Sequence, residues 1–180
     1  MIHTKAFSGR IWGLIFYQNS SSGYMQSSKI NESSTPSAFS RLGQIEQMRT
    51  PSSSRYTFLL EYPELPGCFN IYSQGISPHQ LEDNSTDDTF ECIKCTWTKR
   101  FGPLRKYNKS SYLKHDTNLD EWWYAIGAIS SYGNKQMPGP IFPNGHRVYE
   151  VKLWIQMGEM TVTGCNCRNR VINKLAVLIF

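Results

Sequence analysis

The sequence predicts an all-β protein, a single-domain antiparallel β-sandwich or jelly roll, and three observations carry that prediction. Tyr56 to Gly75, YTFLLEYPELPGCFNIYSQG, sets two apolar and aromatic runs on either side of a Pro-Glu-Leu-Pro-Gly turn. Pro63, Pro66 and Gly67 forbid a helix running through it, which leaves an antiparallel strand pair. Val148 to Ile155 alternates, with Tyr149, Val151, Leu153 and Ile155 on one face and Glu150, Lys152 and Trp154 on the other, the period of a half-buried strand. Aromatic residues reach 13% and charged residues only 18%, with 13 glycines and 9 prolines, and no stretch shows helical amphipathicity; this is the composition of a loop-rich β chain.

A chain of 180 residues can bury a core without disulfides or metal. Residues 1–22 read as an N-terminal tail, either a signal-peptide-like segment or an edge strand. Lys5 and Arg10 precede the apolar Ile11 to Tyr17, IWGLIFY, in the order of a signal peptide, and a β-strand accounts for the same pattern. The β-sandwich domain is expected over 23–167, and 168–180 reads as a C-terminal tail or terminal strand. Ser20 to Ser54 is expected to be loop with short strands, anchored by Ile30, Phe39, Leu42 and Ile45. Ser77 to Asp88 is a polar, acidic loop, strand character resumes at Thr89 to Thr98, and Trp122 to Ile129, WWYAIGAI, reads as a strand buried on both faces. Ser131 to Arg147 carries Pro138, Pro140 and Pro143 with Gly133, Gly139 and Gly145, a stiff loop that displays Tyr132, Met137 and Phe142. No apolar run is long enough to span a bilayer as a helix; Leu175 to Phe180 is far too short.

Met25 to Gly43, MQSSKINESSTPSAFSRLG, followed by Phe58 to Gly75, resembles the first half of discoidin domains, the coagulation-factor type C family. The serine-rich opening, Ser40-Arg41-Leu42, the strand Phe58 to Pro63 and Ser73-Gln74-Gly75 fall in that family's order. The chain departs from the family in having no cysteine before Cys68, and Trp122 to Ile129 has no counterpart. The resemblance implies an eight-stranded jelly roll that binds glycans, lipid head groups or proteins through loops at one end, without catalysis.

The 5 cysteines are Cys68, Cys92, Cys95, Cys165 and Cys167, an odd set that allows two disulfides and one spare thiol. A bond between the Cys92/Cys95 and Cys165/Cys167 clusters would close a long loop and stabilise by about 3–4 kcal/mol. The same four thiolates are also a candidate zinc set, with C-x-x-C and C-x-C spacing. N-x-S/T acceptors stand at Asn19, Asn31, Asn84 and Asn108. Together with the cysteines they point to an extracellular or secreted protein. Asp83, Asp87 and Asp88, with Glu82 and Asn84, read as a solvated acidic loop or, alternatively, as oxygen ligands for calcium.

The net charge of +5 is concentrated in Lys94 to Lys114, a basic run interleaved with aromatic residues and free of acidic ones. Trp97, Arg100, Arg105 and Lys106 make it a candidate polyanion or nucleic-acid contact, and a hairpin with aromatics inward and lysines outward explains it without a ligand. No nucleophile elbow, metalloprotease helix, phosphate loop or dinucleotide fingerprint is present. Asp116, Asp120 and Glu121 before Trp122 are carboxylates beside aromatics that glycoside hydrolysis could use, and capping a strand accounts for them. The sequence thus points to a non-enzymatic module, with no required cofactor, that recognises a carbohydrate or a cell-surface partner through Tyr132, Met137 and Phe142. Polyanion binding with a four-cysteine zinc site is the alternative, and nucleic acid is the less expected partner.

Overall fold

The structure, a computed structural model, describes residues 2–19, 33–35, 38–82, 85–96, 101–106, 113–115, 124–126 and 149–160. It is all-β and antiparallel. The strands are β1 (Thr4–Phe7), β2 (Arg10–Asn19), β3 (Ser33–Thr35), β4 (Ala38–Ser40), β5 (Tyr56–Glu61), β6 (Phe69–Gln74), β7 (Glu91–Cys95), β8 (Leu104–Lys106), β9 (Leu113–His115), β10 (Tyr124–Ile126) and β11 (Glu150–Glu159). Eight of them form one sheet in the order β3-β4-β2-β11-β5-β6-β7, with β1 also paired to β2, and β10-β9-β8 form a second sheet of three.

The segment expected to be a tail or an edge strand lies in the middle of the large sheet. Ser8 and Gly9 both adopt positive φ, 52° and 75°, the two-residue hairpin turn whose twist matches that of the flanking strands. Past that turn, β2 pairs along its whole length with β11 on one edge and with β1 and then β4 on the other. The apolar run Ile11 to Tyr17 is therefore a strand with neighbours on both edges, and it lacks a polar face because its side chains enter apolar clusters on both faces of the sheet.

The two faces of the sheet follow from register and from bulges. Between β2 and β11, Leu153 pairs with Phe16 and Trp154 with Leu14, so Ile15 is an extra residue. The bulge turns Ile15 and Phe16 to the same face, where they join Phe58, Leu60, Tyr72, Val151, Leu153 and Ile155. A 3-10 turn at Leu42–Gln44 and the single-turn helix α1 (Ile45–Met48) cover this face with the fully buried Leu42 and Ile45. These are two of the four anchors expected from the sequence, placed on helical turns where loop and strand were expected; Phe39 lies on β4, and Ile30 lies outside the described residues. The opposite face holds Trp12, Leu14, Leu59, Ile71 and Trp154, with Phe7, Tyr17 and Phe69 against them.

Another bulge lies between β6 and β7, where Ile71 pairs with Lys94 and Tyr72 with Cys92, leaving Ile93 unopposed. Residues three apart on a regular strand point to opposite faces, but this extra residue puts Cys92 and Cys95 on one face, and they are joined in a disulfide. The bond is local and does not link two distant clusters. A loop this short gives about 2 kcal/mol by chain-entropy reasoning, less than the long-range link would. Cys165 and Cys167 lie outside the described residues, and Cys68 is a partly buried free thiol.

Polar side chains fasten the loops to the sheet. The fully buried Gln74 donates to the carbonyls of Ile76 (2.8 Å) and Leu104 (2.9 Å) and accepts from Leu104 N–H (2.9 Å), so one amide docks β8 against the end of β6. Tyr72 stands in an aromatic cluster, 5.0 Å from Phe101 and 5.4 Å from Phe58 between ring centroids. Glu46 accepts from the hydroxyls of Tyr56 and Ser77, tying α1 to the sheet. Asp87 accepts from Gly75 N–H (3.0 Å), Ile76 N–H (2.9 Å), Thr89 N–H (2.9 Å) and the Thr89 hydroxyl. Thr89 Oγ1 also accepts from Gly75 N–H and stands 2.5 Å from where a Cβ at Gly75 would be, so only glycine fits this turn without displacing it.

Two outcomes follow. Gln74→Ala strands both backbone groups of Leu104 and is expected to lower unfolding free energy by about 2–4 kcal/mol in urea titrations. Burial raises the Asp87 carboxyl pKa, but its hydrogen bonds outweigh burial and hold it below the ordinary 3.8. A depressed carboxylate stabilises fully above its unfolded value and loses that contribution as pH falls through the folded one. Asp87→Asn is therefore expected to be less stable than the parent at neutral pH, with the gap closing as urea titrations are repeated from about pH 4 down to about pH 2.

Candidate functional site

A cleft of about 450 Å³ opens on the face that carries Trp154, lined by Lys5, Phe7, Glu61, Phe69, Lys152, Trp154 and the turn at 62–68. Its geometry requires the β1–β2 hairpin to arch. β1 pairs with the edge of β2 that faces away from β11, so in a flat sheet it would lie roughly 14 Å from β5 and roughly 19 Å from β6. Yet Lys5 forms an ion pair with Glu61 of β5, and the Phe7 ring meets the Phe69 ring of β6 edge-on at 5.2 Å. The hairpin curls over the sheet face, helped by Trp12 Nε1, which donates to the Phe7 carbonyl at 2.9 Å.

Glu61 is the polar centre of the cleft. One carboxylate oxygen takes the Lys5 ammonium, and the other accepts from Trp154 Nε1 at 2.7 Å. Lys152 is directly opposite Glu61 in register, which sets Trp154, two residues on, diagonally across from it. Lys5 Nζ lies 4.5 Å from the Trp154 ring centroid and 5.2 Å from that of Phe7, and Lys152 Nζ lies 5.3 Å from the Tyr17 ring. Lys152 also approaches Glu150 at 3.9 Å, and Lys94 Nζ lies 5.3 Å from the ring of Phe69 at the far side of the cleft. Partial burial lowers the Lys5 pKa; hydrogen bonding and charge from Glu61 oppose that shift, and the charge of Lys152 adds to it.

A second cleft, of about 790 Å³, is lined by hydroxyl side chains with Arg10, Arg55, Glu91 and Glu159. Its charges balance, and Arg55 is already committed to Ser73 Oγ at 2.7 Å and to the Thr89 carbonyl. It has no aromatic lining and offers a ligand less.

Trp154, which the sequence places on the face opposite Leu153, lines the cleft and is only 8% exposed, and Cys68 lines it as well. Tyr132, Met137 and Phe142 lie outside the described residues, as do Trp97, Arg100, Asp83, Asp116, Asp120 and Glu121. Arg105 is buried at 5% exposure, and Lys106 follows it on β8. Of the glycosylation candidates, Asn19 ends β2, and Asn31, Asn84 and Asn108 lie outside the described residues. The acidic loop uses Asp87 internally, and among the described residues no group of three or more His, Cys, Asp or Glu side chains is placed to hold a metal ion. Cys92 and Cys95, as a disulfide, are not thiolates.

Nothing in the sequence marks Lys5, Phe7, Glu61, Phe69 and Lys152 as site residues. The legible signal was Lys5-x-Phe7 before Ser8-Gly9, an alternating strand and a hairpin turn ahead of an apolar run. Comparison with protein-family models, with curated proteins and with solved structures gives no match to this chain.

The lowered Lys5 pKa is open to direct measurement. In NMR of the reductively ¹³C-methylated protein, the Lys5 signal is expected to titrate below the ordinary 10.5. Lys152→Gln should move that midpoint up and Glu61→Gln should move it further down. Because the folded value is depressed, the charge on Lys5 costs stability at neutral pH, and the cost is relieved as pH rises from the folded value towards the unfolded one.

Proposed function

We propose that this chain is a non-enzymatic β-sandwich recognition module that binds a carbohydrate of an extracellular or cell-surface partner. The cleft at Glu61 carries the reading: ring edges and faces from Phe7, Phe69 and Trp154 stand within one small cavity beside a carboxylate and two ammonium groups. A sugar ring presents C–H faces that pack on aromatic carbons and hydroxyls that bond to fixed charges, so this mixture suits it. The site is also held in place before any ligand arrives, by the Lys5–Glu61 and Trp154–Glu61 contacts, which limits the ordering cost of binding. Tyr132, Met137 and Phe142, on the proline-stiffened loop, are proposed as further ligand contacts.

Two other features support an extracellular setting and the absence of catalysis. The Cys92–Cys95 disulfide is of a kind that persists in oxidising compartments. The carboxylate of the cleft, Glu61, has both oxygens occupied by Lys5 and Trp154, an arrangement that suits holding more than proton transfer. The resemblance to discoidin domains in Met25 to Gly75 accords with a jelly-roll binding module.

Glycan-array screening followed by calorimetry tests the reading. A glycan ligand is expected, and Phe69→Ala, at a partly buried ring, is expected to weaken it at least about tenfold while near-UV circular dichroism stays that of the parent. A protein that binds no glycan on the array, or binds one unaffected by Phe69→Ala, sinks the assignment of this cleft.

A further inference from the structure

We infer that the ligand of this cleft is an acidic sugar, one that presents a carboxylate or sulfate group to Lys5 and Lys152. The inference rests on the reading that the cleft binds a glycan and specifies which kind. Its basis is the charge balance of the lining: Lys5 and Lys152 contribute two positive charges and Glu61 one negative. Glu61 is already engaged at both oxygens, since one serves Lys5 and the other Trp154. Lys152 forms its ion pair with Glu150, at 3.9 Å, and Glu150 lies outside the lining of the cleft. Within the lining itself two ammonium groups thus face one carboxylate, which Lys5 and Trp154 already occupy.

Both ammonium groups are positioned before a ligand binds. Lys5 is fixed by Glu61 and by the rings of Trp154 and Phe7, and Lys152 by the ring of Tyr17 and by a central position on β11. Two like charges held in one cleft repel each other, and an anionic group between them converts that repulsion into two attractions. Lys152 already acts on Lys5 in this sense, adding to the lowering of its pKa. A neutral sugar would leave the repulsion in place. The second cleft shows the contrast, since its two arginines are matched by two glutamates.

The test compares three trisaccharides by calorimetry on the whole chain: a uronic-acid trisaccharide, its methyl ester with the same rings and no charge, and a sulfated trisaccharide. At low salt the uronate or the sulfated sugar is expected to bind at least about tenfold tighter than the methyl ester. The preference should shrink as salt is raised and should vanish in Lys152→Gln. Lys152 is partly exposed, so this variant is expected to fold, and near-UV circular dichroism verifies that it does. Preference for the sulfated sugar alone supports the acidic class and names sulfate as its group; preference for the uronate names the carboxylate. Equal binding of ester and acid overturns this inference and leaves the cleft as a glycan site. Absence of binding by all three overturns this inference, and the glycan array then decides whether the cleft is a glycan site.

Discussion

The insertion of β11 between β2 and β5 is the constraint on which the rest of the sheet depends. β2 belongs to the N-terminal hairpin and β5 to the hairpin with β6, and among the described residues β11 is the strand that hydrogen-bonds to both. Its alternation serves both faces at once. Val151, Leu153 and Ile155 seal the layer under α1, while Lys152 and Trp154 furnish the opposite face. A chain that has made only its two local hairpins has no core on either side of that gap, since the pairs Leu153↔Phe16 and Leu153↔Leu60 join residues from distant parts of the sequence. Such long-range pairing requires loop closure before it is rewarded, which makes docking of β11 the expected late step of folding.

The cleft is a consequence of this arrangement and of the arch in the first hairpin. Burying Trp12, Leu59, Ile71 and Trp154 on the second face requires a cover, and the Lys5-Ala6-Phe7 strand contributes it by curling across the sheet. The cover brings an ammonium group into partial burial, which is unfavourable unless a counter-charge and ring faces compensate. Glu61, Trp154 and Phe7 offset part of that cost for Lys5. Lys152 receives less compensation, and this asymmetry gives the cleft its character. The same contacts that hold the hairpin down also fix the side chains a ligand would meet, so stability and recognition share residues here.

Around the sheet, loop geometry is decided by buried polar side chains that satisfy backbone groups. Gln74 serves the two backbone groups of Leu104 and the carbonyl of Ile76, and Asp87 gathers the N–H groups of Gly75, Ile76 and Thr89. Glu46 binds a tyrosine of β5 and a serine beyond β6, and His79 Nε2 donates to the Leu42 carbonyl at 2.8 Å. An unpaired backbone group in a buried loop costs more than a surface contact gains, so these few residues specify which loop packs where.

Much of this was legible in the sequence, for a physical reason. Proline and glycine placement separates the strands at Tyr56 to Glu61 and Phe69 to Gln74, and the period-two pattern of Val151 to Ile155 shows which side chains share a face; both are local properties of backbone sterics and pleat. The all-β class and the position of Trp154 on the face opposite Leu153 follow from such properties. What only the tertiary structure decided is everything that depends on strand order and bulges. Ile11 to Tyr17 reads the same whether it is a tail, an edge or a central strand, because apolar residues do not say how many neighbours they have. Cys92 and Cys95 share a face only because Ile93 is unopposed, and Lys5 meets Glu61 only because a hairpin arches over the sheet. Register and curvature are set by contacts between distant segments, so the sequence by itself determined the strands and their faces, and the packed sheet decided which of those faces would make a site.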